Sequence, residues 1–540
     1  ALLECTGSQN VGVGASALAA NTTGNNNTAV GAYALDANTT GTANVAVGRQ
    51  ALTSVTTNSY NTGVGYGALR DNTGAKNTSF GYQALSSNVS SENSVAIGYN
   101  CMVVSTGGAS NTAMGSNCMV ANTNGYNNVA VGFAALYANQ SGGNSTAIGY
   151  KALEEQLTGN NTAVGYEALR KNTTGTRNTA VGQHALDANT TANDNTAVGV
   201  YALSDNTTGE NNVAIGRNAL NQNTTANQNT AVGNYALETC TTGAENVAIG
   251  YYSMKDATTA QYNTAVGEQS LENITTGDRN TAIGNGCMNT NSTGVYNTAV
   301  GCGALQTYTG GSNTAIGYDC LTNCSTGGSN TAVGYQAGEQ ITTGSENVLM
   351  GIIAGDELTT GIQNTVIGSD ALGANQTGNY NTALGKGALQ SYTGSQNTAL
   401  GRSALGSCTT GGSSAAVGYN ALLSNTTGVH NTAVGFEAAT ASDCNRTTAV
   451  GYRAGYSITT GKENTCIGSE ALYTATTGDE NCSIGYYSLY NTTTGSKNTA
   501  IGSNSAGSDN TTGSYNVFVG HNSGDGSSSG NNNICIGYDS

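Results

Sequence analysis

The sequence predicts an all-β chain wound as a parallel β-solenoid, and three observations lead there. A short phrase recurs throughout: Asn27-Thr28-Ala29-Val30-Gly31 returns as Asn161-Thr162-Ala163-Val164-Gly165 and as Asn498-Thr499-Ala500-Ile501-Gly502. The glycine closing each phrase marks 32 copies from Gly14 to Gly537, spaced by 17 residues in 25 of 31 intervals, by 16 in five and by 18 in one. Proline is absent, which leaves every backbone N–H free to enter a strand ladder. A period this short and strict means one coil per repeat, each stacked on its neighbours. The expectation is about 32 coils of 17 residues in a single continuous repeat region, 1–540, with no linker or change of composition.

Positions are numbered here from the marker glycine. The residue at −1 is apolar in every copy, as in Val30, Ile97 and Val266, and the one at −3 is usually β-branched, as in Thr28, Val45 and Val213. Side chains alternate along a strand, so these two positions share a face, expected to be the core face. Between them, at −2, alanine stands in 23 of 32 copies, small enough for close packing against another subunit or for a cramped corner of a monomer. Ala29, Ala163 and Ala299 are the candidate subunit-interface residues on that reading.

Ala at +3 with Leu or Met at +4 (Leu35, Met102, Leu203) supplies the other wall of a thin core. Asn38-Thr39-Thr40-Gly41 and its copies form a turn, with glycine expected at a positive φ. The shorter repeats lose a residue in that turn, as in Asp71-Asn72-Thr73-Gly74, where a deletion leaves strand register intact. Asn at −4 occurs in 28 of 32 copies and predicts a ladder of stacked amides. Ala1-Leu2 matches the +3/+4 pair and Ser540 falls at +3, so the chain is expected to be a piece of a longer protein.

Net charge is −16, with only 9% charged residues. That disfavours nucleic acid and anionic membrane surfaces as partners, and no apolar run approaches the roughly 20 residues of a membrane-inserted helix. No cofactor, metal or catalytic constellation is expected. His184, His430 and His521 lie far apart at unlike repeat positions, with no metal-ligand spacing around them. Cys101 and Cys118 share the +3 position of consecutive repeats, either as small buried hydrophobes in place of alanine or as a disulfide between coils. Tyr66, Tyr82, Tyr150, Tyr166, Tyr335 and Tyr419 follow the marker glycine; the row is either a packing feature with wet hydroxyls or a glycan-contacting surface. Threonine at −3 is read as alternating with a core valine, which argues against a flat exposed threonine face of the ice-binding kind.

Asn93-Ser94-Val95-Ala96-Ile97-Gly98 resembles the head repeats of trimeric autotransporter adhesins, whose motif it reproduces, and Asn246-Val247-Ala248-Ile249-Gly250 comes close. The longer repeat is similar to those of phage and viral tail-fibre proteins and of large bacterial surface proteins. The resemblance covers essentially the whole chain. It implies a left-handed β-roll joined as an intertwined or side-by-side homotrimer. The departures are a longer repeat than the adhesin heads use and the lack of a coiled-coil stalk, an anchor barrel or an autocleaving chaperone domain. The expected function is a structural extracellular fibre or shaft on a virion or cell surface, on the order of 150 Å long at about 4.8 Å per coil, presenting an adhesive tip. The alternatives are an adhesin that binds matrix protein or host glycan along its shaft and a subunit of a head-to-tail filament. Enzymatic activity is not expected.

Overall fold

The computed structural model describes residues 6–506, 510–526 and 529–540; Ala1 and Leu2 lie outside the described residues. The chain is all-β, a parallel β-solenoid of about 31 turns at the 17-residue spacing, with no helix among the described residues. Its coils fall into two compact units, Ala1–Thr276 and Gly277–Ser540. In the first unit each coil contributes one three-residue strand, from Val11–Val13 to Thr264–Val266. The strands pair position for position, as in Thr179 with Thr196, Ala180 with Ala197 and Val181 with Val198. A second, two-stranded sheet joins Ser87–Asn88 to Val104–Ser105. In the second unit the strands run from Thr281–Ile283 to Ile534–Ile536 in the same register.

Changes of repeat length leave the ladder untouched. Thr62 still pairs with Thr78 across a 16-residue repeat and Thr499 with Val517 across the 18-residue one. The lost residue comes out of the turn, where Asn72 Nδ2 donates to Gly74 O at 2.8 Å.

A coil this small needs sharp corners, and besides the marker glycine up to three non-glycine residues per coil take left-handed backbone to make them. After Gly182 (φ 140°), His184 (53°), Leu186 (54°) and Asp194 (60°) all have positive φ. Left-handed backbone costs an L-residue about 1–2 kcal/mol. Ladder bonds hold it: His184 N–H donates to Tyr166 O at 2.9 Å and Leu186 N–H to Ala202 O at 3.0 Å. The sequence reading placed positive φ at the turn glycines instead. Gly24 and Gly209 are not left-handed; a β-carbon added there would stand 2.5 Å from Asn21 Oδ1 or Asn206 Oδ1, yet Ala192, Ala226 and Ala260 hold the same turn position in other coils.

The core reverses the expected strand face. Ala180 at −2 is fully buried, with Ala185 at +3 and Leu186 at +4, whereas the −3 and −1 residues of the same strand lie at the surface. With leucine at +4 the lumen is too narrow for valine on the strand, and Val366 is buried at −2 only where the preceding coil carries Gly355 at +4. At Gly63, which holds the −2 position, a β-carbon would already stand 3.3 Å from Leu52 Cγ and 3.1 Å from Ala68 O. Buried asparagines complete the interior. Asn27 Oδ1 accepts the Asn44 N–H at 3.0 Å while its amide donates to Gly41 O at 2.8 Å. Direct amide-to-amide bonds run along the expected −4 row, as in Asn347 to Asn330 at 3.0 Å and Asn498 to Asn481 at 3.1 Å, and also along a second row in the turn: Asn189 to Asn172 at 2.7 Å and Asn223 to Asn206 at 2.8 Å.

Candidate functional site

The outward strand face is the largest repeated surface. At −3 the residues are Thr or Val with few exceptions, and at −1 they are Val, Ile, Leu, Met or Phe, so neither column carries a charge in any coil. The −1 side chains stand well out: Val181, Ile215 and Ile249 in the first unit, and Ile283, Ile316 and Leu400 in the second, are 37–40% exposed. The nearest charges stand in the flanking columns, for example Arg49 and Arg217 at +1 and Asp194 and Glu245 at −5. A continuous uncharged stripe with polar borders is what an interaction surface looks like. Threonine at −3 and valine at −1 share one face, as their spacing requires, but that face is the exposed one, which corrects the reading of the −1 valine as core. The threonine column is broken by Val45, Val95 and Val129 and bordered by large tyrosines.

Ala29, Ala163 and Ala299 have no exposed surface and point into their own coils. This corrects the assignment of alanine to a subunit interface. Alanine is small at −2 because Leu +4 and Ala +3 face it from within the same chain, and the surface available to another molecule is made by the residues on either side.

The tyrosines form stacked ladders. Tyr66 lies 5.3 Å from Tyr82, which lies 5.3 Å from Tyr99; Phe133, Tyr150 and Tyr166 stack at 5.4 and 5.0 Å. Tyr335 stacks on Tyr318 at 5.5 Å and Tyr419 on Phe436 at 5.1 Å. Arg49 caps Tyr66 at 5.9 Å and Arg402 caps Tyr419 at 5.8 Å. Tyr66, Tyr82, Tyr150 and Tyr419 thus have neighbours over both ring faces. A sugar ring that stacks on tyrosine needs an open face, and these ladders offer edges and hydroxyls.

Cys101 and Cys118 are buried free thiols. Each donates to a strand carbonyl, Cys101 Sγ to Ala113 O at 3.4 Å and Cys118 Sγ to Ala130 O at 3.3 Å. The hydrogen bond with Cys101, then burial, then the like charge of a Cys101 thiolate push the Cys118 thiol far up. Both act as the small buried residues that alanine is elsewhere.

Two clusters of ionisable side chains stand out from the repeat. On the second unit a groove is lined by Glu339, Asp356 and Glu357, with Asp370 beyond them. Burial, reinforced by the charges of Glu357 and Asp370, holds Asp356 above the usual carboxylate range. On the first unit Glu167, His184 and Asp187 bring ligand atoms within 4.8 Å of one another. Reading the histidines one at a time missed this cluster, because its members come from adjacent coils: Glu167 and His184 both occupy +2, one repeat apart, and Asp187 is at +5. Stacking the repeat as a grid, with attention to 17-residue neighbours, was the signal that finds it.

Comparison of the chain with protein-family models and with curated proteins returned no match.

Proposed function

We propose that this chain is a structural extracellular shaft whose coils associate with copies of themselves, as a homotrimer, through the uncharged outward strand face. The observation that carries the reading is that this face keeps its Thr/Val and Val/Ile columns free of charge in every coil while its apolar side chains remain exposed in the single chain. Burying apolar surface stabilises association by about 25 cal/mol per Å², and a stripe repeated coil after coil sums that gain along the chain. Structure repeated this uniformly suits a load-bearing or spacing element on a virion or cell surface better than a catalyst, whose site needs one place unlike the rest.

The test is the native mass in solution by light scattering or sedimentation. A mass three times the 54.0 kDa of the chain is the expected result. A monomer at micromolar concentration overturns self-association and leaves the face to a different ligand; open-ended growth replaces the closed trimer with a filament.

A further inference from the structure

The Glu167–His184–Asp187 cluster has the chemistry and spacing of a metal site. His184 Nδ1 lies 3.5 Å from Glu167 Oε2 and 3.7 Å from Asp187 Oδ2. Nitrogen and oxygen ligands at about 2.0–2.1 Å around a tetrahedral ion stand about 3.3 Å apart; the two His184 distances exceed this by a few tenths of an ångström, and all three ligand atoms lie within 4.8 Å of one another. All three side chains are half-buried, 15–20% exposed, and the backbone that carries them is fixed by the coil ladder. The imidazole is also clamped: Tyr201 stacks on it at 5.2 Å with the rings nearly parallel, and Tyr166 meets it edge-on at 5.3 Å.

The neighbouring charges set the limits of this site. Arg170 Nε lies 3.1 Å from Asp187 Oδ1 and 3.4 Å from Glu167 Oε2. It therefore satisfies one oxygen of Asp187 and leaves the other, Oδ2, turned toward His184. One coil earlier, Lys151 pairs with Glu154 at 3.1 Å. Two carboxylates and one guanidinium sum to a net single negative charge beside the imidazole, enough to attract a divalent cation but with Arg170 opposing it. An imidazole donor selects ions of the zinc, cobalt and nickel type over calcium and magnesium, which favour all-oxygen sites.

The geometry points to a divalent transition-metal site formed by His184 Nδ1, Glu167 and Asp187, with the remaining coordination positions open to water. The ion ties the coil that carries Glu167 to the next one, which carries His184 and Asp187. It acts as a clasp between coils, separate from the strand face through which the chain is proposed to associate.

Zinc chloride and cobalt chloride, titrated calorimetrically into the full chain, are the probes. One ion per chain at micromolar affinity is expected. The cobalt form should show a visible spectrum of nitrogen and oxygen ligands, without a sulfur-to-cobalt charge-transfer band. H184A should weaken this binding at least 30-fold with circular dichroism unchanged. R170Q should tighten it about tenfold, because a cation beside the ion is removed. Acidification should release the metal, since a protonated imidazole has no lone pair to offer. Zinc bound as tightly by H184A as by the parent chain, a sulfur-to-cobalt band, or calcium preferred over zinc would each overturn the assignment.

Discussion

Leu349 fills the core space that Gly355 leaves open. A β-carbon on Gly355 would stand 3.0 Å from Leu349 Cδ2, and one on Gly338 would stand 2.5 Å from Leu349 Cδ1. Both glycines occupy +4, where other coils carry Leu or Met, and Leu349 occupies −2, where they carry alanine. The bulk has moved from one wall of the lumen to the other with total volume roughly kept, which is the kind of core change proteins tolerate best. Phe518 and Gly524 repeat the exchange near the end of the second unit.

This exchange makes the two positions interdependent. Leu349→Ala alone should cost about 2–5 kcal/mol by opening a cavity, and Gly355→Leu alone about 1–3 kcal/mol by overpacking. Together they restore the ordinary arrangement, so the double variant should be more stable than the sum of the two predicts, by about 1–3 kcal/mol. Urea unfolding of the four proteins measures the cycle. Simple additivity would show that the two walls do not compete for one volume.

The marker glycine is held by two constraints at once. At Gly199 the backbone sits at φ +140°, and a β-carbon would stand 2.6 Å from the carbonyl carbon of Gly216 in the next coil. Gly199→Ala should therefore destabilise the first unit by about 3 kcal/mol or more, with hydrogen exchange accelerated in the coils on both sides. Unchanged protection there would mean that the coil spacing can expand to admit a methyl group.

Asp443 gives the second unit a pH dependence of known sign. Burial acts to raise its pKa but is outweighed by the Thr426 hydroxyl and by the backbone N–H groups of Thr427 and Gly428, so the carboxyl is held below its ordinary value. The Thr427 and Gly428 N–H groups donate to Oδ1 at 2.7 and 3.0 Å. A depressed folded-state pKa adds stability above the unfolded value, about 3.9, and that stability is lost as pH falls through the folded value. Asp443→Ala should cost about 1 kcal/mol at neutral pH, after allowing for solvent screening of a partly exposed group. The difference from the parent should shrink as the solution is taken below about pH 4. Unfolding midpoints at pH 7 and pH 3 decide it; an equal gap at both would show that the carboxylate charge contributes nothing.

The sequence made the architecture legible because a solenoid repeats its own evidence. The period, the parallel strand before each glycine and the turn that absorbs insertions all follow from spacing alone. It did not disclose which way the strand faces. Val164 and Ala163 differ by one position, and alternation says only that they point oppositely. A hydrophobicity rule then puts valine inside, but a lumen walled by Leu +4 takes small residues at −2, and Leu349, Val366 and Phe518 fit only where the preceding coil carries Gly338, Gly355 or Ala506 at +4. The left-handed corners at His184 and Leu186 were equally hidden, since neither residue type advertises positive φ. The Glu167–His184 pair is invisible in linear order and plain once residues 17 apart are placed side by side.

Thiol chemistry separates the exposed cysteine from the buried ones. Burial pushes the thiols of Cys240, Cys287, Cys320 and Cys324 up to about 12, which suppresses the reactive thiolate at neutral pH. Cys302 is exposed. Iodoacetamide on the native protein should label Cys302 well before Cys101, Cys118 or these four, all of which should react only after denaturation. Peptide mass mapping over a time course reads the order, and early labelling of Cys101 or Cys118 would show that their coils open in the native state.

Lysine substitutions distinguish the outward face from the core and, with it, the proposed association. Val181 and Val198 are stacked neighbours in the strand ladder, and Val181 is 37% exposed, so Val181→Lys and Val198→Lys leave each coil free to close. Ala180 is fully buried between leucine and alanine, and an unpaired ammonium there is intolerable. The Val181→Lys/Val198→Lys protein should therefore keep the circular dichroism of the parent while its association weakens and dissociation moves to higher protein concentration, because like charges would meet across the proposed shared face. Ala180→Lys should lose ordered structure in the coils around residue 180. If the double lysine variant associates as tightly as the parent, copies meet elsewhere on the coil. If Ala180→Lys folds normally, the alanine column is not the core.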